Sequence, residues 1–321
     1  MRALLLRHTG VLPEYTEHPA PIPGRGETLV HIRAAALNHR DLFITQGLYA
    51  GIRLPCILGS DGAGISGGRE VVIYPARAWG RELACQGPEF RVLGMPDPGT
   101  FAEWIAVPKS TLYPKPAHLS MVEAAALPLA GLTAWRALMT QGKLRSGQKV
   151  LITGIGGGVA LTAMQLALAA GAEVWVTSGD EAKIERAKGM GASGGANYRH
   201  DDWARQLRQA GLFNLIVDSA GGDGFAGLPA LAAPGGRIVT YGGTLGKVNG
   251  LSPQIIFWKQ LHIIGSTMGS PTDFKQMLQF VERFQIKPVV EAVIPMSNGA
   301  AAFNLLSAGT QFGKVALDVS R

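Results

Sequence analysis

An apolar segment that ends in four closely spaced glycines constrains the fold of this chain more than any other feature. Residues 150–153 read Val-Leu-Ile-Thr, a helix-period apolar pattern begins at Val159, and a second apolar segment covers residues 173–178. Strand, glycine turn, helix and strand make a pyrophosphate site, because glycine admits close backbone approach and free helix N–H groups face the negative charge. The residues predicted to bind a dinucleotide here are Gly154, Gly156, Gly157, Gly158 and Val159.

The end of the second segment indicates which dinucleotide binds. An NAD site usually places Asp or Glu there to bind the ribose 2′-OH, whereas this segment ends in Ser178. Lys183 lies on the following predicted helix, and a hydroxyl with a nearby cation suits a 2′-phosphate. Asp180 argues for NAD unless it caps the helix that starts at Glu181, which is the role we favour. The sequence therefore predicts NADPH, bound in part by Ser178 and Lys183.

Composition excludes several classes of protein. Only two cysteines are present, Cys56 and Cys85, which argues against a disulfide framework and favours a reducing, cytoplasmic compartment. The net charge is +7, but the basic residues are scattered, so we expect no nucleic-acid partner and a positive surface that attracts an anionic cofactor. No apolar run is long enough to span a bilayer, so no membrane partner is expected.

The pattern of apolar residues along the sequence changes near residue 119. Before it, short apolar runs punctuated by Gly and Pro predict an antiparallel barrel or sandwich. After it, strands and helices alternate, which predicts an α/β unit with a doubly wound parallel sheet. A capping box at Ser120 and Glu123 opens a helix predicted over 120–141, and His262–Gly265 is the last predicted strand of the sheet. The predicted domain boundaries are 1–118, 119–269 and 270–321.

Several motifs in a fixed order carry a family resemblance over nearly the whole chain. They are the stretches 37–42 (LNHRDL), 58–64 (LGSDGAG), 99–104 (GTFAEW), 123–134 (EAAALPLAGLTA), 218–222 (DSAGG) and 312–315 (FGKV). With the glycine turn, they resemble the zinc-independent, quinone oxidoreductase-like branch of the medium-chain dehydrogenases/reductases. The resemblance implies a GroES-like β-barrel catalytic domain built from both chain ends, with a Rossmann domain inserted between them.

The resemblance also bears on metal binding. The family's catalytic zinc ligands correspond by motif to Asn38, Ser60 and Leu129. An amide, a hydroxyl and a leucine do not supply the Cys, His or carboxylate ligands that zinc requires, so no metal is predicted. The chain departs from the family between residues 64 and 71, where the expected hairpin is shortened.

Without a Lewis acid, acceptors that take hydride easily are favoured, namely quinones and α,β-unsaturated carbonyl compounds. We predict that Asn38 donates a hydrogen bond to the carbonyl oxygen, where negative charge develops, and that Tyr49 is a second donor. Two alternatives stay open: Asn38 can instead cap a helix or support other residues of the site, and Tyr49 can be a packed wall residue. An enoyl-thioester reductase and a non-catalytic NADPH-binding sensor or structural protein are the rival functions.

The remaining site predictions follow from the resemblance and from the order of the strands. The resemblance implies that Thr133 lies beside the nicotinamide and that Tyr198 contacts the adenine or the 2′-phosphate. Gly242 and Gly243 end a strand at the carboxyl edge of the sheet, where the ribose is expected. An apolar edge strand at 262–265 predicts a homodimer, since proteins cover or pair such edges.

Overall fold

The computed structural model describes residues 1–320 as two compact units. The first unit combines Met1–Ala130 with the segment from Ser270 onward, and the second is Gly131–Gly269. The first boundary predicted from the sequence, at 118/119, differs from this division. The reason is that the helix at 121–126 packs on the first unit, where Ala126 is buried against Ala36 and Ala316.

The secondary-structure elements are numbered in chain order. The strands are β1 (Arg2–Leu6), β2 (Glu14–Glu17), β3 (Glu27–Ala36), β4 (Cys56–Ile57), β5 (Asp61–Ser66), β6 (Arg69–Ile73), β7 (Ala76–Arg77), β8 (Arg91–Val92), β9 (Trp104–Pro108), β10 (Leu112–Pro114), β11 (Lys149–Ile152), β12 (Glu173–Ser178), β13 (Gly194–Asn197), β14 (Phe213–Asp218), β15 (Ala232–Thr240), β16 (His262–Gly265), β17 (Val290–Pro295) and β18 (Lys314–Asp318). The helices are α1 (His39–Thr45), α2 (Met121–Ala126), α3 (Pro128–Trp135), α4 (Gly158–Ala169), α5 (Glu181–Gly189), α6 (Trp203–Gln209), α7 (Gly222–Phe225), α8 (Leu228–Leu231), α9 (Pro253–Lys259), α10 (Pro271–Arg283) and α11 (Gly299–Ala308).

The largest sheet of the first unit joins the two ends of the chain. Its order is β10-β6-β5-β3-β18-β17, with β9 also paired to β3. β18 runs antiparallel to β3 in a register that sets Ala316 opposite Ala36, and β3 sets Ala36 opposite Asp61 of β5. Three distant segments of the sequence are thereby brought side by side at the end of β3.

The connection between β5 and β6, which the sequence predicted to be short, is a tight two-residue turn. Ser66 pairs with Arg69, and the turn residues Gly67 and Gly68 have φ of +54° and +78°. Positive φ at both central positions matches the right-handed twist of paired strands and favours glycine. β5 and β6 are therefore joined by a regular hairpin.

The second unit contains a parallel sheet with the order β13-β12-β11-β14-β15-β16. This is the doubly wound arrangement predicted from the sequence, and its strand order reverses between β11 and β14, where such folds bind ligands. Leu151, Phe213, Ile216 and Ile238 are buried in its core. β16 lies at the edge of the sheet, as predicted. It pairs with β15 in a register that sets Arg237 opposite His262.

The helix predicted over 120–141 is broken, and this part of the prediction is wrong. The capping box at Ser120 and Glu123 is confirmed, but α2 ends at Ala126 and α3 starts at Pro128. Proline lacks an N–H and clashes with the carbonyl four residues earlier, so it interrupts a helix. Residues 136–141 then form a π-helical turn. Within residues 1–320, no helix is long and apolar enough to cross a membrane.

Candidate functional site

The glycine turn follows β11 in the second unit. Gly154 and Gly156 have φ of +70° and +118°, a region that glycine reaches without strain. Gly157 is the N-cap of α4, and Gly158 and Val159 form its first turn. These three residues stay partly accessible to solvent, and the first N–H groups of a helix have no intrahelical partner. The turn can therefore present backbone donors to a phosphate.

A polar network supports the turn from below. Thr153 Oγ1 donates to Asp218 Oδ1 at 2.9 Å, and Ser219 Oγ donates to the Thr153 carbonyl at 3.3 Å. A Cβ at Gly154 would lie 2.5 Å from Ser219 Oγ, and one at Gly242 would lie 2.1 Å from the Ser219 carbonyl oxygen. Both positions therefore require glycine. The missing Cβ atoms allow the turn to lie close to the carboxyl ends of β14 and β15.

Gly243 and Thr133 complete the predicted positions of this unit. A Cβ at Gly243 would meet no atom within 4 Å, so packing does not demand glycine there. Thr133 lies inside α3 and is buried.

Several polar groups meet beyond the end of β12. A Cβ at Gly179 would lie 2.9 Å from Tyr198 Oη and 2.8 Å from Arg199 Nε. Lys183 folds toward the glycine turn, since a Cβ at Gly156 would lie 2.8 Å from its Cδ and 3.5 Å from its Nζ. Ser178, at the end of the strand, is buried and accepts a hydrogen bond from the Asp180 N–H at 3.2 Å. Arg199 was not predicted from the sequence, where its only signal is its place directly after Tyr198.

Asp180 caps α5 as predicted. Its Oδ1 accepts a hydrogen bond from the Ala182 N–H at 2.9 Å. A carboxylate used in this way satisfies a backbone donor of the helix. Its presence near the end of β12 therefore does not by itself indicate a ribose contact.

The first unit contains a buried polar group that we call the Asn38 cluster, made of Asn38, Asp61 and Lys314. Asn38 Nδ2 donates to Asp61 Oδ2 at 2.8 Å. Lys314 Nζ donates to Asn38 Oδ1 at 2.6 Å and to Asp61 Oδ2 at 2.9 Å. The other carboxylate oxygen of Asp61 accepts the Leu129 N–H at 2.7 Å. The side chains are almost completely buried, with Asp61 at 0% and Lys314 at 5% exposure.

Asn38 is also the N-cap of α1, so the capping alternative is correct for its backbone. Its N–H donates to Asp41 Oδ2 at 2.8 Å, and its carbonyl accepts the Asp41 N–H at 2.9 Å. The side chain is engaged separately, in the Asn38 cluster. Desolvation, and then the Lys314 charge, lower the pKa of the neighbouring His39, which favours the neutral imidazole.

Arg40 links Ser60 and Tyr49. Its guanidinium donates to Ser60 Oγ and to the Leu93 carbonyl, both at 2.8 Å. The Tyr49 ring lies over the same guanidinium, with 5.1 Å from Cζ to the ring centroid. Tyr49 is 37% exposed, so its ring packs on Arg40 while part of the side chain reaches solvent.

The donor set does not fit a zinc ion. Among residues 1–320, no three His, Cys, Asp or Glu side chains converge in a way that could hold a metal. Ser60 Oγ is occupied by Arg40 and the Leu93 carbonyl. The Leu129 side chain has no atom that can bind a metal, and its backbone N–H donates to Asp61. The Lys314 ammonium already binds the oxygens of Asn38 and Asp61, and a second cation there would be repelled.

Asp41 gives a pH-dependent prediction. It is fully buried, and burial raises its pKa to about 6 from 3.8, although Arg40 opposes the shift. A carboxyl whose folded pKa is raised binds its proton more tightly in the native state, so stability falls as pH rises from about 4 to about 6. Two pKa units correspond to about 3 kcal/mol of unfolding free energy. The free energy of unfolding of Asp41→Asn, measured by denaturant unfolding, should therefore rise relative to that of the parent by about 2 kcal/mol between pH 4.5 and 7.5, since about 1.5 of these units lie above pH 4.5.

The control for this prediction is Asp202→Asn. The pKa of Asp202 is lowered, chiefly by its hydrogen bond with Arg205, so any pH dependence should have the opposite sign. A constant stability difference between Asp41→Asn and the parent across this pH range would contradict the prediction.

Two family models match the chain. A zinc-binding dehydrogenase model matches residues 158–283, and an alcohol dehydrogenase GroES-like domain model matches residues 24–117. Together they cover more than half of the sequence, and the chain belongs to the medium-chain dehydrogenase/reductase family. It is therefore an oxidoreductase that uses a nicotinamide cofactor.

Individual relatives cover nearly the full chain. The zinc-type alcohol dehydrogenase-like protein YogA of Leptosphaeria maculans is 33% identical over 93% of this chain and 92% of its own. A crystal structure of an NAD-dependent alcohol dehydrogenase is similar with a TM-score of 0.93 and 38% identity, covering 99% of this chain and 100% of that one. The quinone oxidoreductase of Thermus thermophilus, also solved with NADPH, has a TM-score of 0.84 and 27% identity, covering 99% and 100%.

Proposed function

We propose that this protein reduces quinones or α,β-unsaturated carbonyl compounds with NADPH and without a metal ion. The Asn38 cluster is the observation that carries this proposal. At Asn38, one of the three positions that correspond by motif to the family's zinc ligands, the cluster has an amide held by Lys314 and Asp61. A hydrogen-bond donor at that place suits an acceptor whose oxygen becomes negative but needs no Lewis acid.

The second unit supplies the cofactor residues in this proposal. The glycine turn and the first turn of α4 hold the pyrophosphate, while Lys183, Tyr198 and Arg199 hold the 2′-phosphate. Two cations and a phenol suit a phosphate dianion better than a ribose hydroxyl, because charge-assisted hydrogen bonds are the strong ones. Thr133, Ser178, Gly242 and Gly243 belong to the same proposed site. NADPH, when bound, supplies the hydride.

The first unit supplies the donors for the substrate oxygen. An amide nitrogen carries two N–H groups, and Asp61 accepts one of those of Asn38. We assign the second N–H to the carbonyl oxygen of the substrate. Tyr49 is the second proposed donor, with its ring held on Arg40. Water supplies the proton that completes the reduction.

Steady-state oxidation of NADPH with a panel of acceptors tests the proposed function. The panel contains quinones, enones and acyl thioesters, each with NADPH and with NADH. Oxidation of a simple alcohol with NADP⁺ is measured separately as a test for alcohol dehydrogenase activity. We expect turnover with quinones or enones and NADPH. Preferred reduction of acyl thioesters would indicate an enoyl-thioester reductase, preferred alcohol oxidation an alcohol dehydrogenase, and cofactor binding without any turnover a sensor or structural protein.

Zinc content gives an independent prediction. Because the donor set of Asn38, Ser60 and Leu129 does not fit zinc, we expect no stoichiometric zinc in the purified protein and full activity in chelator. Elemental analysis and activity after dialysis against a chelator are the measurements. About one tightly bound zinc per chain, with activity lost on its removal, would refute the metal-free mechanism.

We also propose a homodimer through β16. This edge strand presents Ile263 at 37% exposure, and α9 directly before it presents Phe257 and Trp258 at 65% and 84%. Lys259 fixes the end of α9 by donating to the carbonyls of Pro229, Ala230 and Ala232. Pairing with a two-fold related copy would cover the open edge and this apolar surface in one closed contact.

Trp258→Glu should convert the dimer to a monomer, because it places a charge in the proposed apolar contact. Light scattering at micromolar concentration measures the mass of the parent and the variant. Ile22→Glu is the matched control, since Ile22 is 91% exposed on the first unit and should leave the mass unchanged. A monodisperse monomer for the parent protein would overturn the proposed dimer.

A further inference from the structure

Lys314 contacts the amide that the proposed function makes the substrate donor, although it lies far from Asn38 in sequence. We propose that Lys314, acting with Asp61, is a positioning residue that fixes the Asn38 amide so that one N–H is kept for the substrate oxygen. This inference rests on the proposed function. It adds a residue that acts on the reaction through Asn38 without itself touching the substrate.

The contacts of the cluster form a closed ring. Lys314 Nζ binds Asn38 Oδ1 and Asp61 Oδ2, and Asp61 Oδ2 binds Asn38 Nδ2. The ring passes through both Oδ1 and Nδ2. The N–H that Asn38 donates to Asp61 is therefore the one on the same side of the amide as Oδ1. The other N–H of the nitrogen lies on the opposite edge, outside the ring.

The ring also excludes the flipped amide. Exchanging Oδ1 and Nδ2 would set N–H donors against the Lys314 ammonium, which has no acceptor, and an oxygen against the Asp61 carboxylate, which has no donor. Asp61 is itself held by the Leu129 N–H at 2.7 Å. Two charged partners, both nearly fully buried, thus define one orientation of a neutral amide.

The fold explains why Lys314 reaches this place. Lys314 starts β18, Asp61 starts β5 and Asn38 lies just beyond the end of β3. β3 pairs with both other strands, with Ala36 opposite Asp61 and Ala316. The same pairing gives the ion pair a structural role, so the test must separate positioning from stability.

A double-mutant cycle makes this separation. Removing Lys314 alone would leave Asp61 charged and buried, so the test variant is the neutral pair Lys314→Met with Asp61→Asn. In the parent background it should lower kcat about tenfold, the scale of a misplaced oxyanion donor, with NADPH affinity unchanged. In an Asn38→Ala background the same pair should lower kcat less than about twofold, because the group it positions is gone.

Lys115→Met is the matched control. Lys115 is also a lysine of the first unit whose side chain is only 6% exposed; it pairs with Glu70 at 3.2 Å and lies outside the Asn38 cluster. Its loss should reduce thermal stability and leave kcat unchanged. If the double variant Lys314→Met with Asp61→Asn does not fold, Lys314→Arg is measured instead, in the parent and in the Asn38→Ala background. Lys314→Arg should then lower kcat in the parent background and have little effect on kcat in the Asn38→Ala background.

The outcomes separate this inference from the proposed function. Full kcat in the neutral pair, or an equal loss with and without Asn38, would overturn the positioning role while leaving the reductase proposal intact. Full kcat in Asn38→Ala alone would overturn the donor role of Asn38, and the positioning role with it. A loss of kcat that depends on Asn38 supports both.

Discussion

Replacing Asn38 by alanine should lower turnover about tenfold to a hundredfold and leave NADPH affinity nearly unchanged. The amide is held by Asp61 and Lys314, so it can meet developing negative charge without reorganising. Loss of one such donor lowers turnover more in a dry site than in a site that admits water. The expected loss of about tenfold to a hundredfold covers a site that admits some water. Turnover with a quinone or enone and NADPH binding by fluorescence titration are the measurements.

The control for Asn38→Ala must account for its position at the start of α1. The alanine variant keeps both backbone hydrogen bonds to Asp41, so the cap loses little. Ser120→Ala is a stricter control at a helix start, because it removes the hydrogen bond that Ser120 Oγ accepts from the Glu123 N–H at 3.2 Å; it should cost about 1 kcal/mol of stability without changing turnover. Unchanged turnover in Asn38→Ala would remove Asn38 from the mechanism, and a large loss of NADPH affinity would make it a cofactor-positioning residue.

Local sequence patterns predicted the elements of the second unit well, because these elements depend on neighbouring residues. The glycine turn, the cap at Asp180 and the edge position of β16 all follow from signals within one or two elements. The break before Pro128 was missed, although the proline itself was a sufficient local signal.

The polar surroundings of the candidate site could be predicted only in part. Lys314 lies 253 residues from Asp61, and nothing near either residue indicates the contact. It depends on β18 pairing with β3 and on β3 pairing with β5, which is a property of the whole sheet. Arg199 was missed for a similar reason, because it reaches Gly179 through the parallel pairing of Ser178 with Asn197.

The choice between NADPH and NADH should depend on the cations beyond β12. Lys183→Ala should weaken NADPH binding by about 1–3 kcal/mol, the scale of one charge-assisted hydrogen bond, and leave NADH binding nearly unchanged. Arg199→Ala should act in the same direction, because its Nε lies beside Gly179 together with the Tyr198 hydroxyl. The dissociation constants of both cofactors, measured for each variant, give the selectivity directly.

Lys188→Ala separates a specific phosphate contact from a general effect of charge. Lys188 lies on α5 with Lys183, but its ammonium binds Glu185 at 2.9 Å. Removing it changes the net charge by the same amount, so equal losses of NADPH affinity in the two variants would indicate long-range attraction alone. A parent protein that binds NADPH and NADH equally well would contradict the assignment of a 2′-phosphate site. We expect the parent protein to prefer NADPH, with this preference reduced by Lys183→Ala and Arg199→Ala but not by Lys188→Ala. In that case the Lys183 and Arg199 side chains determine cofactor choice here, in place of the acidic residue of an NAD site.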